Sequence, residues 1–212
     1  MTVLTVQVEA NQDDGSRQWD SMMFDWDFTQ TNPNLIGAAD ESGGDPRDTT
    51  CYFRFLGVDI PSTATINSAK LQYKLNASYS YSSKSCRIYA EDIASSAAIN
   101  SDSEMTDAQG DKTTNYVTWN IATGSTGSFL DSADFTDVID EIINVGGWDA
   151  GDNNITILLM NPTEADMMDA WEMQVKAHEV SSGADAPKLV IDYTADEPTA
   201  QTGKAFLMFL DI

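Results

Sequence analysis

Histidine is nearly missing from this chain: His178 is its single example in 212 residues, and cysteine occurs only twice, at Cys51 and Cys86. That scarcity removes any histidine cluster for a metal, and no Cys-x-x-Cys pair takes its place. A nucleophilic triad would have to use His178 itself, yet the chain has no Gly-x-Ser-x-Gly elbow. Glycine-rich phosphate loops and the dinucleotide fingerprint are absent too. Paired carboxylates of the glycosidase kind carry no information here, because 34 acidic residues make some close pair inevitable. Together these absences point to a non-catalytic protein, and His178 reads as a structural or surface histidine.

Positive charge is the second shortage. Lys and Arg number 11 against 34 Asp and Glu, for a net charge of −23. Nucleic acid is therefore an unsuitable partner, since its phosphates need Lys and Arg to displace counterions, and anionic membrane surfaces are disfavoured for the same reason. No apolar run approaches the roughly 18 residues of a membrane span. The start, Met1-Thr-Val-Leu-Thr-Val-Gln-Val-Glu-Ala-Asn, lacks the basic and apolar regions of a signal peptide. Taken as the native start, it predicts a protein not exported by the general secretory route.

Core-forming material is plentiful, with 42% hydrophobic residues and five Trp. A single domain of roughly 200 residues fits this length. The acids are scattered, which reads first as a solvated, self-repelling surface. Salt adaptation and calcium-binding loops are the alternatives. For calcium, which takes roughly six to eight oxygen ligands, the candidates are Asp13 and Asp14 after the first strand and Asp149 and Asp152 after the helix described next. None matches a helix-loop-helix calcium loop, so structural calcium is the only cofactor the sequence suggests.

In the segment Asp134-Phe-Thr-Asp-Val-Ile-Asp-Glu-Ile-Ile143, Phe135, Val138, Ile139, Ile142 and Ile143 recur at the spacing of one buried helical face. This predicts a short amphipathic helix at about 134–144, with Asp134 as N-cap and Gly146 as the left-handed terminating residue. Alternation or apolar runs predict strands at Val3–Val8, Thr50–Leu56, Ala69–Leu75, Cys86–Glu91, Asn115–Ile121, Ile155–Met160, Glu172–His178 and Lys188–Tyr193. Both cysteines fall on apolar strand faces and read as core thiols, with a disulfide as the alternative. Residues 16–49 read as an ordered loop or excursion, and 93–111 as a polar connection with short helical turns. Short strands with long loops and one helix describe an all-β protein, an antiparallel β-sandwich of jelly-roll-like kind over 1–194. Residues 195–212 form a linker and an apolar segment, in which Phe206, Leu207, Met208, Phe209 and Leu210 either complete the chain's own sheet or dock on a neighbour.

Trp119 and Trp148 stand among apolar residues and are expected in the core. Trp19, Trp26 and Trp171, with Tyr79 and Tyr81, lie in more polar context and are the candidates for an exposed sugar-stacking platform.

The ordered set Phe53-Arg-Phe55, Val58-Asp-Ile-Pro61, Ala64-Thr-Ile-Asn-Ser-Ala69, Val117-Thr-Trp119, Val138 to Trp148 and Ala186-Pro-Lys-Leu-Val-Ile-Asp-Tyr193 resembles the DNRLRE-type and related carbohydrate-binding-module-like β-sandwich domains. The resemblance implies a jelly-roll-like, non-catalytic module of the kind found in bacterial extracellular proteins and phage structural proteins, and supplies no catalytic residues. Here one such domain fills nearly the whole chain. With no signal peptide in view, the expectation is a virion structural protein assembled in the host cytoplasm, either a capsid decoration or a tail-associated subunit. Its partners would be other virion subunits or copies of itself, with surface glycans as further partners. The alternatives are a glycan-binding module of a secreted protein, or a subunit of an extracellular filament or surface layer, either of which would place it outside the cell.

Overall fold

The computed structural model describes residues 1–20, 22–39, 47–161 and 171–196. Among these, the strands are β1 (Thr2–Gln7), β2 (Asp14–Asp20), β3 (Asp25–Thr29), β4 (Asn34–Ala39), β5 (Arg47–Phe55), β6 (Thr65–Tyr73), β7 (Tyr79–Ala90), β8 (Val117–Gly124), β9 (Leu130–Asp131), β10 (Ile155–Met160), β11 (Trp171–Val175) and β12 (Lys188–Thr194). Two α-helices interrupt them, α1 (Asp102–Gly110) and α2 (Thr136–Ile143). All strand pairs are antiparallel. One sheet runs β1-β12-β6-β9; the other runs β11-β4-β5-β10-β7-β8, with β2 also paired to β5 and β3 paired to β2. The all-β sandwich expected from the sequence is therefore the observed architecture.

The main core lies between the sheets. Ile66, Ala69, Leu71 and Tyr73 of β6 and Leu189 and Ile191 of β12 share it with Cys51, Phe53 and Phe55 of β5 and Cys86 and Ile88 of β7. Apart from Ile66, which lies beyond a register shift in the β6–β12 pairing, these are the alternate positions that a two-residue period sends to one face. Both cysteines are buried and not joined in a disulfide, and burial pushes the Cys51 thiol well above its ordinary range. Helix α2 adds its whole apolar stripe to the same core, where Phe135, Val138, Ile139, Ile142 and Ile143 are all buried. Trp119, as expected, is buried and meets Tyr73 edge-on, with centroids 5.2 Å apart. Trp148 is half-buried, and its Nε1 donates to the Ile60 carbonyl at 2.8 Å.

Strand β10 is buried on both faces, which explains why its sequence is apolar at every position but Thr156. Ile155, Ile157 and Leu159 face the main core, whereas Leu158 enters a second cluster with Tyr52, Tyr89, Ile99, Met105 and Ala108. Met105 and Ala108 come from α1, which covers the outer face of the larger sheet. Ser101 Oγ caps this helix by accepting from Glu104 N at 3.3 Å, and the Glu104 carboxylate accepts from Asn100 N at 2.6 Å. The pattern is that of a capping box displaced by one residue.

Several expectations need correction. Residues 16–49 hold all of β3 and β4, most of β2 and the start of β5, rather than an irregular excursion. The apolar alternation that would announce β2 is missing because its buried positions include Asp14, Ser16 and Arg17. The connection at 93–111 contains α1, a full helix whose buried side is too small to register as an apolar stripe. Helix α2 begins at Thr136, so Asp134 acts from one residue further out, accepting from Thr136 N at 3.1 Å and Thr136 Oγ1 at 2.7 Å. The left-handed glycine after it is Gly147, with φ +95°, not Gly146.

Candidate functional site: an apolar hairpin tip

Strands β2 and β3 form a hairpin in which Ser16 pairs with Thr29, Trp19 with Trp26, and Asp20 with Asp25. Its base is pegged to α1 by Arg17. The guanidinium donates through Nη1 to Asp102 Oδ1 at 2.9 Å and to Thr106 Oγ1 at 2.8 Å, and through Nη2 to Gln109 Oε1. Gln109 in turn donates to Thr50 Oγ1 of β5 at 2.8 Å. The facing strand also holds this cation, because the guanidinium carbon lies 4.4 Å from the Trp26 ring centroid. Further out, Trp19 and Trp26 meet edge to face with centroids 5.3 Å apart, a cross-strand aromatic pair that stiffens a two-stranded ribbon.

Three large apolar residues occupy the end of this ribbon. Met22 is 77% exposed, Met23 74% and Phe24 81%. Asp20 Oδ1 fixes the turn by accepting from Met22 N at 2.8 Å and Met23 N at 3.1 Å. Phe24 adopts φ +54°, in the left-handed region that turns ordinarily assign to Gly, Asn or Asp. Holding a bulky residue there costs about 1–2 kcal/mol, and solvation of the ring returns nothing. Asp20, Asp25 and Asp27 flank the apolar tip with negative charge.

The aromatics expected to share one platform separate into two groups. Trp19 and Trp26 are half-buried on the hairpin. Trp171 is only 2% exposed, so its ring is not presented to solvent as expected. It packs edge-on to Tyr81 at 5.9 Å, and Tyr81 stacks on Tyr79 at 5.6 Å. The Tyr81 hydroxyl donates to the Glu172 carbonyl at 2.7 Å and accepts from Glu172 N at 3.1 Å, tying this row to β11. Glu172 and Gln174, the polar residues that follow Trp171 on β11, alternate to the other face of the strand.

The neighbouring acids Asp13 and Asp14 are both fully buried but held by different groups. Asp13 Oδ1 pairs with Arg54 Nη1 at 2.8 Å, while Asp14 Oδ2 accepts from His178 N at 2.8 Å. Burial raises the Asp14 carboxyl from 3.8 to about 7; the His178 N–H and Asn34 work against this, and the charges of Glu179 and Asp13 reinforce it. Asp149 and Asp152 sit in the turn beyond Trp148, where Asp152 N donates to the Asp149 carbonyl at 3.2 Å. Among the described residues no three His, Cys, Asp or Glu gather closely enough to hold a metal ion. His178 takes a structural position, with Nδ1 2.9 Å from Asn11 Oδ1. Phe206, Leu207, Met208, Phe209 and Leu210 lie outside the described residues.

In the sequence Met22, Met23 and Phe24 fall in the excursion expected at 16–49 and are not among the candidate site residues. The available signal was a run of three large apolar residues between Asp20 and Asp25, the length and flanks of a hairpin turn. Among the described residues no helix is long and apolar enough to cross a membrane. No protein-family model matches the chain, and no curated protein matches it.

Proposed function

We propose that this protein is a non-catalytic structural subunit of a virus particle, a capsid decoration or tail-associated component of the phage kind, and that it docks on a neighbouring subunit through the β2–β3 hairpin. The observation that carries this reading is the tip itself: Met22, Met23 and Phe24 held in water at the end of a ribbon that Arg17 and the Trp19–Trp26 pair brace against the sandwich. Exposed apolar residues that are contiguous and rigidly presented mark contact sites rather than chance exposure. The acidic flanks suit a receiving pocket with a basic rim, which would fix the register of docking. The resemblance to sandwich domains found in phage structural proteins supports the same class, and the apolar segment at 206–210 would supply a second contact.

The test is particle association. Electron microscopy of the source particle should place this chain in a symmetric array, and replacing Met22, Met23 and Phe24 together by Ser should abolish its incorporation while leaving the isolated protein folded. A monodisperse monomer found in no particle, or a triple variant that incorporates normally, would overturn the reading.

A further inference from the structure

A second surface lies on the outer face of β7 and β8, away from the hairpin's apolar tip in character. The register sets Arg87 opposite Thr118 and Ser85 opposite Asn120, while Cys86, Ile88, Trp119 and Ile121 between them point into the main core. Tyr89, Arg87 and Ser85 therefore share the outer face with Thr118 and Asn120. Tyr116, just before β8, adds its ring, 5.2 Å from that of Tyr89 and tilted by 38°. Tyr116 is 45% exposed, and Thr118 and Asn120 are exposed beside it.

Arg87 is the exceptional member of this face. The two other arginines with described side chains are paired, Arg17 with Asp102 and Arg54 with Asp13, and Lys74 and Lys176 share Asp185. Arg87 has no carboxylate partner among the described residues, in a chain with 34 acids to choose from. Its guanidinium carbon lies 4.4 Å from the Tyr116 ring centroid. Nη1 is 3.5 Å from the Tyr89 hydroxyl, a marginal hydrogen bond, and Nε is enclosed with no acceptor. Lys112 brings a second cation, with Nζ 5.8 Å from the Tyr89 ring centroid and donating to the Gln109 carbonyl at 3.0 Å. With Nε enclosed and only a long contact from Nη1, the guanidinium has no carboxylate to balance its charge, and an incoming carboxylate or sulfate would meet its Nη groups through charge-assisted hydrogen bonds.

The surrounding groups narrow the class of anion. An exposed phenol ring accepts the C–H face of a pyranose, and the Thr118 hydroxyl and Asn120 amide offer donors and acceptors suited to sugar hydroxyls. Two cations in a chain of net charge −23 suit a sparsely charged ligand and not a dense polyanion such as nucleic acid. We propose that the outer face of β7 and β8 binds an acidic saccharide, with Arg87 holding the carboxylate or sulfate and Tyr116 stacking on the sugar ring. The site is independent of hairpin docking and would serve attachment to an acidic surface glycan.

Calorimetric titration of the full chain with trigalacturonate, and with a sulfated disaccharide in parallel, tests this directly. One of the two should bind at least about tenfold more tightly than neutral maltotriose, a difference worth about 1.4 kcal/mol. Arg87→Gln and Tyr116→Ala should each weaken that binding about tenfold or more, with Arg87→Lys less affected because it keeps the charge. Tyr116 is exposed enough that its variant tests the site even if Arg87→Gln fails to fold. The Ser triple variant of the hairpin tip should bind the saccharide unchanged, which separates this site from the docking surface. Binding of maltotriose equal to that of the acidic sugars, retention of affinity in Tyr116→Ala, or no binding of either acidic sugar at about 10 mM, beyond the millimolar range of weak ligands, would overturn the proposal. Tighter binding of tetraglutamate than of trigalacturonate would overturn it in favour of an acidic peptide.

Discussion

Replacing Asp14 by Asn should stabilise the protein above neutral pH and leave it nearly unchanged in mild acid. Asp14 is fully buried in β2, with Oδ2 accepting from His178 N at 2.8 Å and Oδ1 enclosed without a hydrogen bond. Burial carries its carboxyl from 3.8 to about 7. Between those pH values the folded chain binds a proton that the unfolded chain has already released, so stability falls as pH rises from about 4 to about 7. The whole displacement corresponds to about 4 kcal/mol at roughly 1.4 kcal/mol per pH unit, fully felt above pH 7. Asparagine has nearly the same shape, keeps an oxygen for the His178 N–H and never ionises. The gain at pH 8 should therefore reach about 2–4 kcal/mol, the lower figure applying if the new amide N–H groups find poor acceptors. Urea unfolding of both proteins at pH 4.5 and pH 8, in about 0.15 M salt, measures the difference. Repulsion among the other acids acts on both proteins and cancels in the comparison. An Asp14→Asn protein with the same stability relative to the parent at the two pH values, or with lower stability at pH 8, would refute a buried, proton-binding Asp14.

Two further substitutions probe the supports of the hairpin and of the buried aromatic row. Arg17→Ala should cost about 3 kcal/mol, near the lower end for breaking a buried ion pair, because Asp102 keeps 35% of its side chain in solvent; urea unfolding followed by Trp fluorescence would report it, and a loss under about 1 kcal/mol would show that the guanidinium does not brace the ribbon. Trp171→Ala should destabilise the protein by about 3–5 kcal/mol through loss of a buried ring, measurable by thermal unfolding, so that any accompanying loss of glycan binding would follow from unfolding; full stability in this variant would contradict the packing of Trp171 on Tyr81.

Much of the sandwich was legible because local pattern and tertiary role agree along most of the chain. The strand at Ile155–Met160 is observed with those bounds, and β12 differs from the expected Lys188–Tyr193 by one residue. The stripe of α2 was equally readable, since all five residues that define it are buried. Where burial involves polar groups, pattern fails. Arg17 sits in the core side of the hairpin base because Asp102, Thr106 and Gln109 meet it there, and those partners lie more than 80 residues away. Helix α1 has the same origin: its Met105 and Ala108 find Tyr52, Tyr89 and Leu158 only once β5, β7 and β10 are side by side.

The sequence by itself determined that the chain is a β-sandwich with an apolar-striped helix, because the two-residue and 3.6-residue periods are local properties of the chain. It also determined the acidity and the poverty in His and Cys. Only the tertiary structure decided which side chains are left facing water. Trp171 went into the core beside Tyr81, whereas Met22, Met23 and Phe24 were carried to the end of a braced ribbon. Arg87 and Tyr116 were set together on an outer sheet face with no acid beside the cation among the described residues. Exposure and pairing depend on what the rest of the fold brings alongside, and residue spacing in one segment holds no record of it.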